Sequence, residues 1–120
     1  MAKAIVIDVD MLDFRYQEVN SLEDMQSVVG GYIERVPFDF GNGDDMYVDE
    51  EGLLKGKKRA FTLKGAHQSF FVGNGLLVGA EKESEDGEGF LTDVKTTIEE
   101  LREEISFVGF RDVEKGGDND

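Results

Sequence analysis

The apolar residues of this chain fall in short runs whose period changes about every dozen residues, which restricts the fold to a small mixed α+β domain. Lys3 to Val9 holds a β-branched run, Ala4-Ile5-Val6-Ile7, that reads as a buried strand. Phe14 to Val19 alternates, so it reads as a second strand, and the tight DVDMLD between the two makes a hairpin. Asn20 and Ser21 supply N-cap oxygens, with Glu23 and Asp24 three residues beyond them, for a helix whose buried stripe is Leu22, Met25 and Val29. Gly30-Gly31 closes it.

Strands are then expected at Tyr32 to Phe38, at Met46 to Val48 and at Arg59 to Leu63, separated by the turn residues Gly41-Asn42-Gly43 and Asp49 to Gly52. Ser69 to Val72 and Leu76 to Ala80 read as one bulged strand or two short ones around Gly73-Asn74-Gly75. Glu81 to Gly89, nearly all acidic or small, reads as a mobile connection. Thr92 then caps a second helix, with Asp93 in its first turn and Val94, Ile98, Leu101 and Ile105 along one face. Phe107, Val108 and Phe110 are too apolar for a tail and call for a last strand or extended segment. The expectation is a single α+β domain over residues 1–113, with a disordered acidic tail at 114–120. Its mainly antiparallel sheet of about five or six strands is packed by two helices in the order β-β-α-β-β-β-β-α-β.

Charge bounds the partners. The chain has 27 acids against 13 bases, a formal net charge of -14 on 13.4 kDa. Such a surface repels phosphate backbones, so ordinary nucleic-acid binding is disfavoured. With 39% hydrophobic content and nine Phe the chain still has the material of a core. Two explanations of the acidity follow: adaptation to concentrated salt, as in halophilic archaea, or imitation of DNA by an antirestriction or defence-inhibiting protein. Against the first stand eight lysines to five arginines. With no cysteine, disulfides, thiolate metal sites and a Cys nucleophile are excluded. The start AKAIVIDV is too short and too early charged for a signal peptide, and no apolar run approaches the roughly 18 residues of a membrane helix, so a cytoplasmic location is expected.

Candidate chemistry is sparse. IVIDVDML, residues 5–12, resembles the first motif of haloacid-dehalogenase-type phosphatases, which assigns Asp8 as nucleophile and Asp10 as acid. Met11-Leu12 departs from that motif, no later Lys and acidic metal pair completes it, and two aspartates in a hairpin turn have sufficient backbone reasons. An EF-hand reading of Asp8, Asp10 and Asp13 fails because Leu12 and Asp13 occupy positions that need a ligand and a glycine. The only histidine, His67, rules out a His-pair zinc site, and nothing orients it towards Ser69. Gly73-Asn74-Gly75 opens no helix, so its backbone is a weak phosphate site. No metal, cofactor or catalytic set is expected.

Two charged clusters remain. Lys55, Lys57, Lys58, Arg59 and Lys64 place five cations in ten residues without an acid, where an anionic ligand would land. Glu99, Glu100, Glu103 and Glu104, with the EKESEDGE loop, make the strongest negative face, the one a DNA mimic would present.

From Met25 to Gly79 the pieces MQSVVGGYIERVPF, MYVDEEGLLKG and SFFVGNGLLVG occur in an order that resembles the domain of unknown function 3846, a small module of phages, plasmids, actinobacteria and archaea. The chain departs at Lys57 to Ala60, KKRA, where members often carry an Asn-rich turn before an Arg-Ala pair. The resemblance implies a small α+β domain with an antiparallel sheet and an association with mobile elements or their hosts, and it implies no catalytic residues. The expected role is a non-enzymatic accessory or interaction module, monomeric or weakly dimeric, of a halophilic archaeon or its mobile elements. The alternatives are the DNA-mimic inhibitor and a small phosphohydrolase using Asp8 and Asp10.

Overall fold

The computed structural model describes residues 2–52 and 59–109, and within them the chain is α+β with largely antiparallel pairing. The elements run β1 (Ala2–Asp8), β2 (Asp13–Val19), α1 (Leu22–Val29), β3 (Ile33–Arg35), β4 (Asp45–Asp49), β5 (Arg59–Leu63), β6 (Phe71–Val72), β7 (Gly75–Val78), β8 (Glu81–Glu83), β9 (Gly89–Leu91), α2 (Ile98–Glu104) and β10 (Ile105–Gly109). They form a five-stranded sheet in the order β2-β1-β7-β4-β3, a three-stranded sheet β10-β5-β6 and the separate hairpin β8-β9.

The near-continuous apolar run of β1 follows from its position. Ala4 and Val6 face one side of the large sheet, where Met25 and Val29 of α1 cover them with Val19, Leu76 and Val78. Ile5 and Ile7 face the other side, against Phe61 and Leu63 of the small sheet, Leu101 of α2 and Ile105. A strand covered on both faces has no position for a polar residue, so alternation disappears. Each large side chain buried this way contributes on the order of 1.5–3 kcal/mol. The edges are blunted: β3 is three residues long, carries Glu34 and Arg35 and is followed closely by Pro37, while β2 carries Arg15, Gln17 and Glu18. Charge, brevity and proline all hinder pairing with another chain.

α1 begins where the capping residues require. Ser21 accepts from the Asp24 N–H, and Asn20 N–H in turn donates to the Asp24 carboxylate at 2.8 Å. It ends at Gly30 in the left-handed region, φ 89°, which only glycine adopts without strain. Leu22 departs from expectation: it is 56% exposed, and Met25 and Val29 alone of the three are buried. The strand expected over Tyr32 to Phe38 is regular only at Ile33–Arg35, with single bonds beyond each end from Glu50 N–H to the Tyr32 carbonyl at 2.9 Å and from Val36 N–H to the Met46 carbonyl at 2.8 Å.

Three further features are decided by backbone groups elsewhere in the chain or by turn geometry. The two stretches around Gly73-Asn74-Gly75 are two strands in different sheets, β6 and β7, and Asn74 links elements by accepting from Val9 N–H at 3.0 Å and donating to the Val28 carbonyl at 3.4 Å. Glu81 to Gly89 is no loose connection but the β8-β9 hairpin, turned at Gly87 with φ 90°. α2 starts at Ile98 with Thr97, not Thr92, as its cap. The preceding residues are held extended instead, since Val94 N–H donates to the Lys3 carbonyl at 2.8 Å and the Asp93 carboxylate accepts from Lys3 N–H. Ile105 accordingly caps the end of α2, its N–H donating to the Leu101 carbonyl, and opens β10 instead of extending the helical face. Phe110 and the 114–120 tail lie outside the described residues.

Candidate binding groove

A groove opens on the α1 side of the large sheet, between the start of α1 and the β8-β9 hairpin. Its floor is Met25, Ile33, Tyr47 and Val78, and its volume is about 340 Å³. Asn20, Ser21 and Leu22 form one wall; Glu81, Gly89, Phe90 and Leu91 form the other. Leu22 at 56% and Phe90 at 47% exposure put two large apolar side chains on opposite rims, open to water.

The hairpin wall is fixed at its base and its tip. At the base, the Thr92 hydroxyl and N–H donate to the Ala80 carbonyl at 2.6 and 3.2 Å. Gly79 there lies so close to the next segment that a Cβ would sit 2.3 Å from the Asp93 carbonyl oxygen. At the tip, Ser84 N–H donates to the Glu88 carbonyl and Gly87 N–H to the Ser84 carbonyl. The Ser84 hydroxyl donates to the Asp86 carboxylate, and that bond, with the Glu88 N–H, lowers the Asp86 pKa. Glu81, Glu83, Glu85, Asp86 and Glu88 thus stand exposed on an ordered element, opposed within it only by Lys82.

Electrostatics inside the groove agree with this. Asp45 and Glu81 line it, and Arg35 pairs with Asp45 at 3.4 Å. Burial pushes the Tyr47 phenol above its usual pKa, and the carboxylates of Asp45 and Glu81 add to the effect more than Arg35 offsets it. A negative field favours the neutral phenol over the phenolate.

The aspartates of the first hairpin sit at its tip, Asp8 ending β1 opposite Asp13, which opens β2, and Asp10 lying in the turn between them. Asp8 accepts from Asp10 and Met11 N–H groups at 3.0 Å each and pairs with Arg15 at 2.5 Å. Asp10 points to solvent with Arg59 at 3.9 Å, and Asp13 meets Arg102 at 3.2 Å. Three arginines therefore meet three aspartates around a tip where Met11 and Leu12 are exposed and Leu12 takes φ 56°.

Of the basic cluster, Lys55, Lys57 and Lys58 lie outside the described residues. Arg59 opens β5 beside Asp10, whereas Lys64 follows its other end, its N–H donating to the Glu104 carbonyl at 2.8 Å. Five residue steps of extended chain place these two about 16 Å apart along the backbone. On α2, Glu100, Glu103 and Glu104 line a shallow hollow with Phe38, Asp39 and Phe40, and Glu99 lies outside it. Glu100 is partly committed, since its carboxylate accepts from Thr97 N–H at 2.8 Å in a capping box. His67 is exposed, and among the described residues no group of three His, Asp or Glu is placed to hold a metal ion. Among them too, no helix is long and apolar enough to cross a membrane.

Sequence reading missed the groove because Glu81 to Gly89, nearly all acidic or small, does not read as a hairpin and the rim residue Leu22 fits a helical stripe. The available signal was Ser84 to Gly87, a turn sequence centred between two three-residue flanks.

A search of curated proteins and one of solved structures found no match. A family match does cover residues 1–104, which include every residue lining the groove and reach well beyond the Met25 to Gly79 pieces. On that match the chain belongs to the family described as a domain of unknown function, DUF3846.

Proposed function

We propose that this chain is a non-enzymatic interaction module that holds part of a partner in the groove between α1 and the β8-β9 hairpin. The observation that carries the reading is the pair of exposed apolar side chains, Leu22 and Phe90, on the rims of an apolar-floored groove. Exposed large apolar residues gathered around a concavity mark contact sites, whereas scattered ones carry no such meaning. The phosphohydrolase alternative finds no support at Asp8, whose carboxylate is engaged by two backbone N–H groups and Arg15, and no observation favours the DNA-mimic face over the groove.

Capture from host lysate tests the reading when the wild type is compared with a Leu22→Ser/Phe90→Ser variant of unchanged circular dichroism. The wild type is expected to retain a protein that the variant loses. Identical retention by both refutes the groove as the contact site. Phosphate release with magnesium that disappears in Asp8→Asn would instead establish the enzymatic alternative.

The accompanying proposal, that the acidity reflects a salt-adapted archaeal host or its mobile elements, rests on the net charge of -14. Screening shortens from about 8 Å at 0.15 M salt to about 3 Å at 1 M, so added KCl should relieve self-repulsion. A circular dichroism spectrum equally folded without salt contradicts it.

A further inference from the structure

We infer that the occupant of the groove is a basic segment of a partner protein, anchored by a large apolar side chain lying between Leu22 and Phe90. This rests on the interaction-module reading and adds the partner's chemistry. Size is the first reason. At about 340 Å³ the groove lies at the small end of ligand sites, which run from roughly 300 to 1,000 Å³, so it suits one or two side chains rather than a large cofactor. The floor of Met25, Ile33 and Val78 is apolar, which calls for an apolar anchor.

Charge supplies the rest. Asp45 and Glu81 lie within the groove against Arg35, and Glu83, Glu85, Asp86 and Glu88 extend the hairpin wall outward against Lys82. An anionic or neutral segment would gain nothing from that wall, while lysines flanking the anchor reach it from either side. Burial is the main cause of the raised Tyr47 pKa, and the carboxylates of Asp45 and Glu81 add to it against Arg35. A second copy of the chain would bring a like charge of -14, so self-association through this face is opposed. The blunted edges of β2 and β3 argue against strand addition as the main contact.

The test uses the full chain at the lowest KCl concentration at which it is folded. The probe is a short fluorescein-labelled peptide in which leucine alternates with lysine, followed by fluorescence anisotropy. Binding is expected with a Kd on the order of tens of micromolar, and weaker by at least about tenfold when glutamate replaces lysine or serine replaces leucine. Leu22→Ser and Phe90→Ser, both at exposed positions, should each raise Kd about fivefold or more, while Met11→Ser at the other exposed apolar tip leaves it unchanged. Glu81→Gln should weaken binding and flatten its salt dependence.

Equal binding by the glutamate peptide overturns the charge assignment. Binding indifferent to the Leu22 and Phe90 substitutions reduces the effect to attraction by a polyanion and overturns the site. Failure of the lysine-leucine peptide to bind, with groove-dependent capture from lysate intact, overturns the partner chemistry and leaves the interaction-module reading standing. Concentration-dependent dimerisation abolished by Leu22→Ser assigns the groove to a second copy and overturns the inference as well.

Discussion

Asp44 should be the most sensitive polar position in the described chain. It is 3% exposed, and its carboxylate accepts from three donors: Lys95 N–H at 3.0 Å, Thr96 N–H at 2.7 Å and the Thr96 hydroxyl at 2.6 Å. These bonds fasten the start of β4 to the segment that leads into α2. Asp44→Ala removes the acceptor and leaves two backbone N–H groups and a hydroxyl without their partner around a largely buried position. The Thr96 hydroxyl oxygen still accepts from the Asn42 amide at 3.0 Å, so only its O–H loses a partner. Taking about 1–3 kcal/mol for each stranded donor, and allowing for partial relaxation, the loss is about 3–5 kcal/mol. Asp44→Asn keeps the shape and one acceptor oxygen but gives up the charge and sets an amide N–H against a backbone N–H. Its cost is about 1–3 kcal/mol. Urea unfolding followed by circular dichroism measures both, with an unchanged slope confirming that the folded and unfolded states are comparable. In thermal melts the alanine variant should fall by about 10–20 °C for a chain of this size. Asp39→Ala, an exposed acceptor for Gly41 N–H, is the control and should cost under about 1 kcal/mol. If Asp44→Ala also stays within about 0.5 kcal/mol of the wild type, the carboxylate does not hold this junction and the reasoning fails.

Gly79→Ala should destabilise by about 2–3 kcal/mol and distort the hairpin wall, because its Cβ would meet the Asp93 and Thr92 carbonyl oxygens at 2.3 and 2.5 Å; unaltered unfolding would show that the segment yields freely. Burial alone would raise the pKa of Asp8, but the Arg15 hydrogen bond, the Met11 and Asp10 N–H groups and the Arg15 charge hold it below the ordinary 3.8. A carboxylate depressed in the folded state stabilises above its unfolded pKa, and that stability is lost as pH falls through the folded value. Acid titration of stability should therefore fall less steeply below pH 3.8 in Asp8→Asn than in the wild type, and parallel curves would contradict the assignment. Tyr47 should ionise above its ordinary value in ultraviolet phenolate titration, with Glu81→Gln lowering the midpoint; no change on that substitution would remove Glu81 from the groove's field.

The sequence discloses most where a residue's neighbours along the chain decide its state. Ser21 and Asp24 cap α1, Gly30 ends it and β1 is buried on both sides, all as local pattern suggests. It misleads where distant backbone groups intervene. Thr92 has the chemistry of a helix cap, yet it closes the β8-β9 hairpin on the Ala80 carbonyl, and Asp93 is spent on Lys3 N–H, so α2 waits for Thr97. Glu81 to Glu83 has poor strand propensity and pairs only because the turn at Ser84 to Gly87 brings Gly89 to Leu91 alongside. The groove depends on both of these non-local facts, which is why its walls were not legible while its floor residues read as ordinary core. Of the Lys55 to Lys64 cluster, the two described members, Arg59 and Lys64, lie at opposite ends of β5.

If the groove between α1 and the hairpin is where this domain meets its partner, a peptide of matching chemistry perturbs that face before any other. Amide chemical-shift mapping during titration with the lysine-leucine peptide tests it most directly. Saturable shifts are expected at Leu22, Tyr47, Gly79, Glu81, Phe90 and Leu91, with the exposed acids of α2 left unmoved. Shifts spread evenly over the acidic surface, or centred on Glu99 to Glu104, would contradict it.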